Sequence, residues 1–153
     1  MSKFGSLTKY WLIPVLWAGM IYFASSDKRS AQRSSRLIAP VVRWLIPDIS
    51  DAALWRVVFM ARKGAHVTEY AIFAVLLWWA LRHSSRSEKT RGWNGKRAGL
   101  AWVLATLFAL SDEWHQKFVP TRQGSPWDVL IDAAGAAAGL LVVWVLGRWR
   151  KQW

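Results

Sequence analysis

The sequence predicts an all-α integral membrane protein, a four-helix bundle with an amphipathic interfacial segment between its first and second spans. Three observations carry this reading. Apolar runs at about 8–26, 62–82, 97–113 and 127–147 have, or approach, the length needed to cross a hydrocarbon core about 30 Å thick. Basic residues and several of the 13 Trp cluster at the ends of those runs, where headgroups and water meet. The most polar stretch, SDEWHQKFVPTRQGSPWDVLIDAAG at 111–135, is wedged between two strongly apolar segments. An ionisable group at such a border persists only when it is paired, hydrated or used.

The chain of 153 residues is 54% hydrophobic, which suits one small membrane domain over 1–153. A formal net charge of +12 raises the question of nucleic acid. The cations flank apolar runs and no nucleic-acid-binding signature stands beside them, so membrane lipids with anionic headgroups are the expected partners and nucleic acid is not. With no cysteine, neither a disulfide framework nor a thiolate nucleophile or thiolate metal site is available.

The first span, YWLIPVLWAGMIYFASS, follows Lys3 and Lys9. Ala24-Ser25-Ser26 loosely resembles a cleavage site, but two Trp, a Pro and the apolar length favour a retained span over a signal peptide. From Lys28 to Pro47, Leu37, Val41, Trp44 and Leu45 fall at helical spacing with Arg36 and Arg43 offset, in a segment too short and too charged to span. It is expected to lie along the interface, with a substrate lid as the functional alternative. Pro47 ends it, and Ser50-Asp51 supplies an N-cap for a second amphipathic stretch that leads directly into the second span.

The second span begins with polar groups. Lys63, His66 and Tyr70 fall at i, i+3 and i+7, with Glu69 one position away, so they share a broad face of the first two turns. Residues 82–97 form a basic polar loop. The next apolar run is short for a span unless the helix continues through Asp112, Glu113 and Gln116. In the fourth span Asp128, Asp132, Gly135 and Gly139 form one stripe, and Gly135, Ala136, Ala138 and Gly139 permit close helix packing. Trp11, Trp44, Trp78, Trp79, Trp127, Trp144 and Trp149 are read as an aromatic belt with no ligand role.

Alternation of four spans brings the end of the first, the start of the second, the end of the third and the start of the fourth to one side. Ser25, Ser26, Lys63, His66, Glu69, Asp112, Glu113, His115, Gln116, Arg122, Asp128 and Asp132 can therefore converge, whichever way the protein inserts. The 82–97 loop, the N-terminal lysines and the basic tail share the other side. The positive-inside rule makes that side cytoplasmic and the polar cluster outward-facing in a multi-pass cell-membrane protein.

The carboxylates, His66 and His115 offer metal-ligand chemistry, but no diagnostic pair such as HExxH exists, and no residue is assigned to a metal. Acid–base chemistry needs carboxyls in contrasting environments, which puts Glu113, Asp112, His66 and Asp128 forward for proton transfer. Lys63, Arg122, Gln116, Tyr70, Glu69 and Asp132 are the candidates for holding a ligand, with Arg122 suited to bidentate contact with phosphate or carboxylate. Ser111 and Ser125 have no evident base partner. The competing reading is an interhelical lock in which Asp112 or Asp128 satisfies Arg122 or Lys63 and Gln116 bridges helices.

KGAHVTEYAIFA at 63–74, SDEWHQKFVPTRQGSPWDVLIDAAGAAAG at 111–139 and the WAGMIYFASS ending of the first span resemble the VanZ-like membrane protein family over nearly the whole chain. The resemblance carries over Lys63, His66, Tyr70, Asp112, Glu113, Gln116, Pro120, Arg122, Asp128, Asp132 and Gly135. Asp132 departs from the pattern, which more often has asparagine there, and adds an ionisable group. The resemblance implies a bacterial membrane protein, linked for the family's namesake to resistance against the glycopeptide antibiotic teicoplanin. It implies no cofactor and leaves open whether the chain is an enzyme. Two functions are expected from these residues: binding, with or without modification, of an anionic lipid-linked or envelope ligand, or a non-enzymatic transporter, lipid handler or accessory subunit whose carboxylates relay protons or lock helices.

Overall fold

The computed structural model describes residues 3–26, 30–84, 92–119 and 124–153. These form five helices: α1 (Lys3–Ser26), α2 (Ser30–Leu45), α3 (Asp51–His83), α4 (Gly95–Gln116) and α5 (Pro126–Trp149). Among the described residues there is no strand. Two helices, α3 and α5, are long and apolar enough to cross a membrane.

Local chemistry sets the helix starts. Ser50 Oγ accepts from the Ala53 amide at 3.3 Å, Asn94 Oδ1 from that of Arg97 at 3.2 Å, and Ser125 Oγ from that of Trp127 at 3.2 Å. Each cap satisfies a donor that the first turn leaves without a partner. The Ser50 cap opens one unbroken helix of 33 residues, so the second predicted span and the amphipathic stretch before it are a single rod about 50 Å long. Likewise α4 runs on through Asp112, Glu113 and Gln116 to carry them at its last turn. The segment expected to lie along the interface is the helix α2, with Leu37, Val41, Trp44 and Leu45 exposed.

α3 is the central helix and packs against each of the other four. Its closest partner is α5. A Cβ added at Gly135 would lie 2.6 Å from the Val67 carbonyl oxygen, and one at Gly139 2.5 Å from that of Ala71. Only a missing side chain allows this approach, as the small-residue stripe predicts. On α4 the buried positions Ala98, Ala101, Ala105 and Ala109 do the same work, a stripe the sequence reading passed over.

The pairings also fix direction. Lys63 meets Asp128, Val67 meets Gly135 and Ala71 meets Gly139, so α3 and α5 run parallel. Trp11 Nε1 donates to Ser84 Oγ at 3.1 Å and Trp17 Nε1 to the Glu69 carbonyl at 3.0 Å, so α1 runs antiparallel to α3. Ser25 meets Asp112, where α1 and α4 both end. Helix ends therefore alternate, and the polar residues of four helices gather at one end of the bundle.

The other end is aromatic. Trp78, expected in the belt, is instead buried, its ring 5.3 Å from Trp93 and 5.9 Å from Trp153, with the Arg82 guanidinium 5.3 Å from the Trp78 and Trp153 rings. Stacking and cation–π attraction draw it inward. Trp44, Trp127 and Trp149 stay exposed.

Gly139→Leu should force α3 and α5 apart and destabilise the fold by about 1–3 kcal/mol or more, whereas Gly99→Ala, whose Cβ would meet nothing within 4 Å, should be neutral or stabilising. Unfolding of the detergent-solubilised variants checks both.

Candidate functional site

The polar end of the bundle is built on the last turn of α4. Asp112 Oδ2 accepts from Ser25 Oγ of α1 at 2.8 Å and from Gln116 Nε2 at 3.0 Å. Gln116 Nε2 also donates to Glu113 Oε1 at 3.2 Å, while Glu113 Oε2 accepts from the Ser125 amide at 2.8 Å. Gln116 thus ties two carboxylates of its own helix, as its i+3 and i+4 spacing allows. The contact to Ser125 fastens the start of α5 to the end of α4. Gly124 makes it possible, because a Cβ there would run into the Glu113 carbonyl oxygen.

On α3, Lys63 forms an ion pair with Asp128 of α5, and His66 Nδ1 lies 3.6 Å from Glu69 Oε2. His115 meets α1 through Tyr22, whose hydroxyl is 3.4 Å from His115 Nδ1 with the rings 4.6 Å apart. The structure therefore joins Ser25, Asp112, Glu113 and Gln116 in one network and Lys63 with Asp128 in another, and sets His66 beside Glu69. Arg122 and Pro120 lie outside the described residues. Sequence reasoning missed the Trp17 and Trp102 indole donors, the latter bonded to the Ala133 carbonyl at 2.9 Å. Each sits inside an apolar run with no polar pattern to flag it.

Burial decides what these groups can do. Asp112 is 1% exposed, Asp132 2% and Glu113 5%, and Tyr70 is fully buried. Asp112, Asp132, Glu113 and Glu69 are all electrostatic neighbours of Tyr70. The Asp132 carboxyl likewise feels Glu113, Asp128 and Asp112, with Lys63 as the opposing charge. Among the described residues, the buried polar atoms with no hydrogen-bond partner include Asp112 Oδ1 and the Tyr70 hydroxyl oxygen at this end, and Trp78 Nε1 and Arg82 Nε at the other. Leaving such a group unmet costs about 1–3 kcal/mol.

Ser111 and Ser125 are both engaged locally. Ser111 Oγ donates to the Phe108 carbonyl at 2.8 Å and Ser125 Oγ caps α5. Among the described residues no group of three or more His, Asp and Glu side chains is arranged to hold a metal ion.

This arrangement sets carboxylates and a glutamine, which close α4, against a lysine of α3 and an aspartate stripe on α5. A family model described as VanZ/LLP1 matches residues 10–147. The chain belongs to the VanZ/LLP1 family. The match takes in α2 and nearly all of the other four helices, so the whole polar end lies inside the family region. No curated protein and no solved structure matches this VanZ/LLP1 chain.

Two outcomes check the networks. Gly124→Ala should detach the Ser125 amide from Glu113 and Ser25→Ala should destabilise by about 1–3 kcal/mol, both read by thermal unfolding in detergent. Lys63→Met alone should cost more stability than Lys63→Met with Asp128→Leu, because the single change leaves a half-buried carboxylate without its counter-charge.

Proposed function

We propose that this VanZ/LLP1 chain is a multi-pass protein of the bacterial cell membrane whose polar end binds an anionic, lipid-linked or envelope ligand, an activity tied through the family to glycopeptide (teicoplanin) resistance. In this reading α1, α3, α4 and α5 span the bilayer, α2 lies on its surface, and the cluster faces outward.

The inverted polarity of the bundle supports the membrane part. Leu12, Val15, Leu16 and Phe23 of α1, Leu107 and Leu110 of α4, and Leu141, Val142 and Val145 of α5 are exposed, while Asp112, Glu113, Gln116 and Asp132 are buried. Exposed apolar faces on this scale suit lipid as the surrounding solvent. The first and third spans have lower hydropathy for identifiable reasons: α1 carries Tyr10, Trp11, Trp17 and Pro14, and α4 carries the site itself.

The ligand reading rests on unmet buried atoms of the polar end, Asp112 Oδ1 and the Tyr70 hydroxyl. A carboxyl oxygen such as Asp112 Oδ1 accepts hydrogen bonds, and a ligand with donors of its own, such as a sugar, glycerol or amine headgroup, would satisfy it. Its anionic part needs cations. Lys63 is already matched by Asp128, which makes Arg122 the principal candidate, with its planar fork suited to phosphate. If the ligand is also transformed, Glu113 and Asp112, linked through Gln116, are the groups to move a proton, with His66 and Asp128 at the margin.

The Lys63–Asp128 pair specifically favours a second reading, in which the acids relay protons or lock helices without turnover. Under it Glu113→Asp is tolerated and no lipid is needed. Native mass spectrometry of the mildly extracted protein separates the two. A phosphate-bearing lipid should stay with the wild type and be lost from Arg122→Ala and Asp112→Asn variants that elute as the wild type does. Absence of such a lipid from all three, or equal retention by all three, overturns the ligand reading. Expression in a teicoplanin-susceptible host should lower susceptibility for the wild type and not for Asp112→Asn.

A further inference from the structure

On the outer surface, α4 and α5 enclose a groove of about 270 Å³. Its lining includes the apolar Leu110 and Trp114 of α4 and Val129 and Leu130 of α5, together with Glu113 and Ser125 and with Lys117, which is exposed. We propose that this groove is a lateral lipid site, which takes a chain segment of a bilayer phospholipid, holds its phosphate at Lys117 and receives a hydrogen-bond donor of its headgroup at Glu113. The proposal rests on the membrane reading above and specifies how a lipid reaches the polar end.

Three features fit this occupant. The volume falls just short of pockets that enclose a whole small molecule, about 300–1,000 Å³, so the groove suits part of a chain whose remainder stays among its neighbours in the bilayer. The exposed apolar residues on either side, Leu110, Trp114 and Leu130, continue the face that lipid covers.

The charges at the polar end are complementary to a phospholipid headgroup rather than to a simple fatty acid. Lys117 Nζ lies 5.2 Å from the Trp114 ring centroid, which holds the ammonium beside the groove. Glu113 uses one oxygen for the Ser125 amide and the other for Gln116, leaving lone pairs for a further donor. Phosphate on lysine and ammonium or hydroxyl on glutamate is the charge pattern of phosphatidylethanolamine or phosphatidylglycerol. Phosphatidylcholine, whose ammonium is fully methylated, supplies no N–H to Glu113.

Glu113 also belongs to the buried Ser25–Asp112–Gln116 network, so a headgroup arriving along the groove meets the polar cluster directly.

The test is native mass spectrometry after incubation with vesicles holding equal amounts of phosphatidylethanolamine and phosphatidylcholine with identical chains. The wild type should retain phosphatidylethanolamine in preference. Leu130→Trp, which fills the groove from an exposed position, and Lys117→Glu should lose the retained lipid, whereas Leu130→Ala should keep it. Glu113→Gln should lose the preference between the two headgroups. Equal retention of both lipids by the wild type, or retention by Leu130→Trp equal to that of the wild type, overturns the groove. Loss in Arg122→Ala and Asp112→Asn without loss in Leu130→Trp would overturn the groove and leave the polar-end ligand standing. Loss in Leu130→Trp alone would do the reverse.

Discussion

The approach of α5 to α3 at Gly135 and Gly139 is the constraint on which the rest of the bundle depends. Backbone meets backbone at Val67 and Ala71, with no room for a side chain on α5. Once that register is set, helical spacing carries Asp128 to Lys63 and turns Asp132 inward, since 128, 132, 135 and 139 share one stripe. The ion pair follows from the packing as much as it supports it. In the proposed membrane setting, such close contact and the polar links at its end are what helix association draws on.

The polar end combines two roles that physical chemistry usually separates. Ser25 to Asp112, the Ser125 amide to Glu113 and Lys63 to Asp128 each join different segments, so the cluster fastens the bundle. Yet the acids outnumber the described cations that could neutralise them, and Asp112 keeps one oxygen unmet. A lock built for stability alone would pair its charges or replace them with apolar groups. Glu113 faces both ways, inward to Gln116 and outward to the groove. Opposite this end, Arg82 packs with three tryptophans through cation–π and ring contacts.

Much of this was legible in the chain. Ser50 precedes the helix it caps, and Gly135 and Gly139 stand where small residues permit contact. The gathering of Ser25, Asp112, Glu113, Gln116, Lys63 and Asp128 followed from counting alternating spans. Less legible were Trp78, which stacking draws from the interface to the core, and the Trp17 and Trp102 indoles, whose backbone partners lie on other helices. A residue's partner across a bundle leaves no trace in its own neighbourhood of sequence.

Periodicity, capping residues and the spacing of polar groups along each run are local properties, and they determined by themselves the helices, their alternation and the identity of the polar end. Tertiary structure alone decided which oxygen of Asp112 is bonded and which is not, that Gln116 serves two carboxylates, and that α4 and α5 leave a groove lined in part by Glu113. These depend on the rotation and separation of neighbouring helices. Side chains distant in sequence set both, and helical periodicity, which fixes only the face a residue occupies, is silent about them.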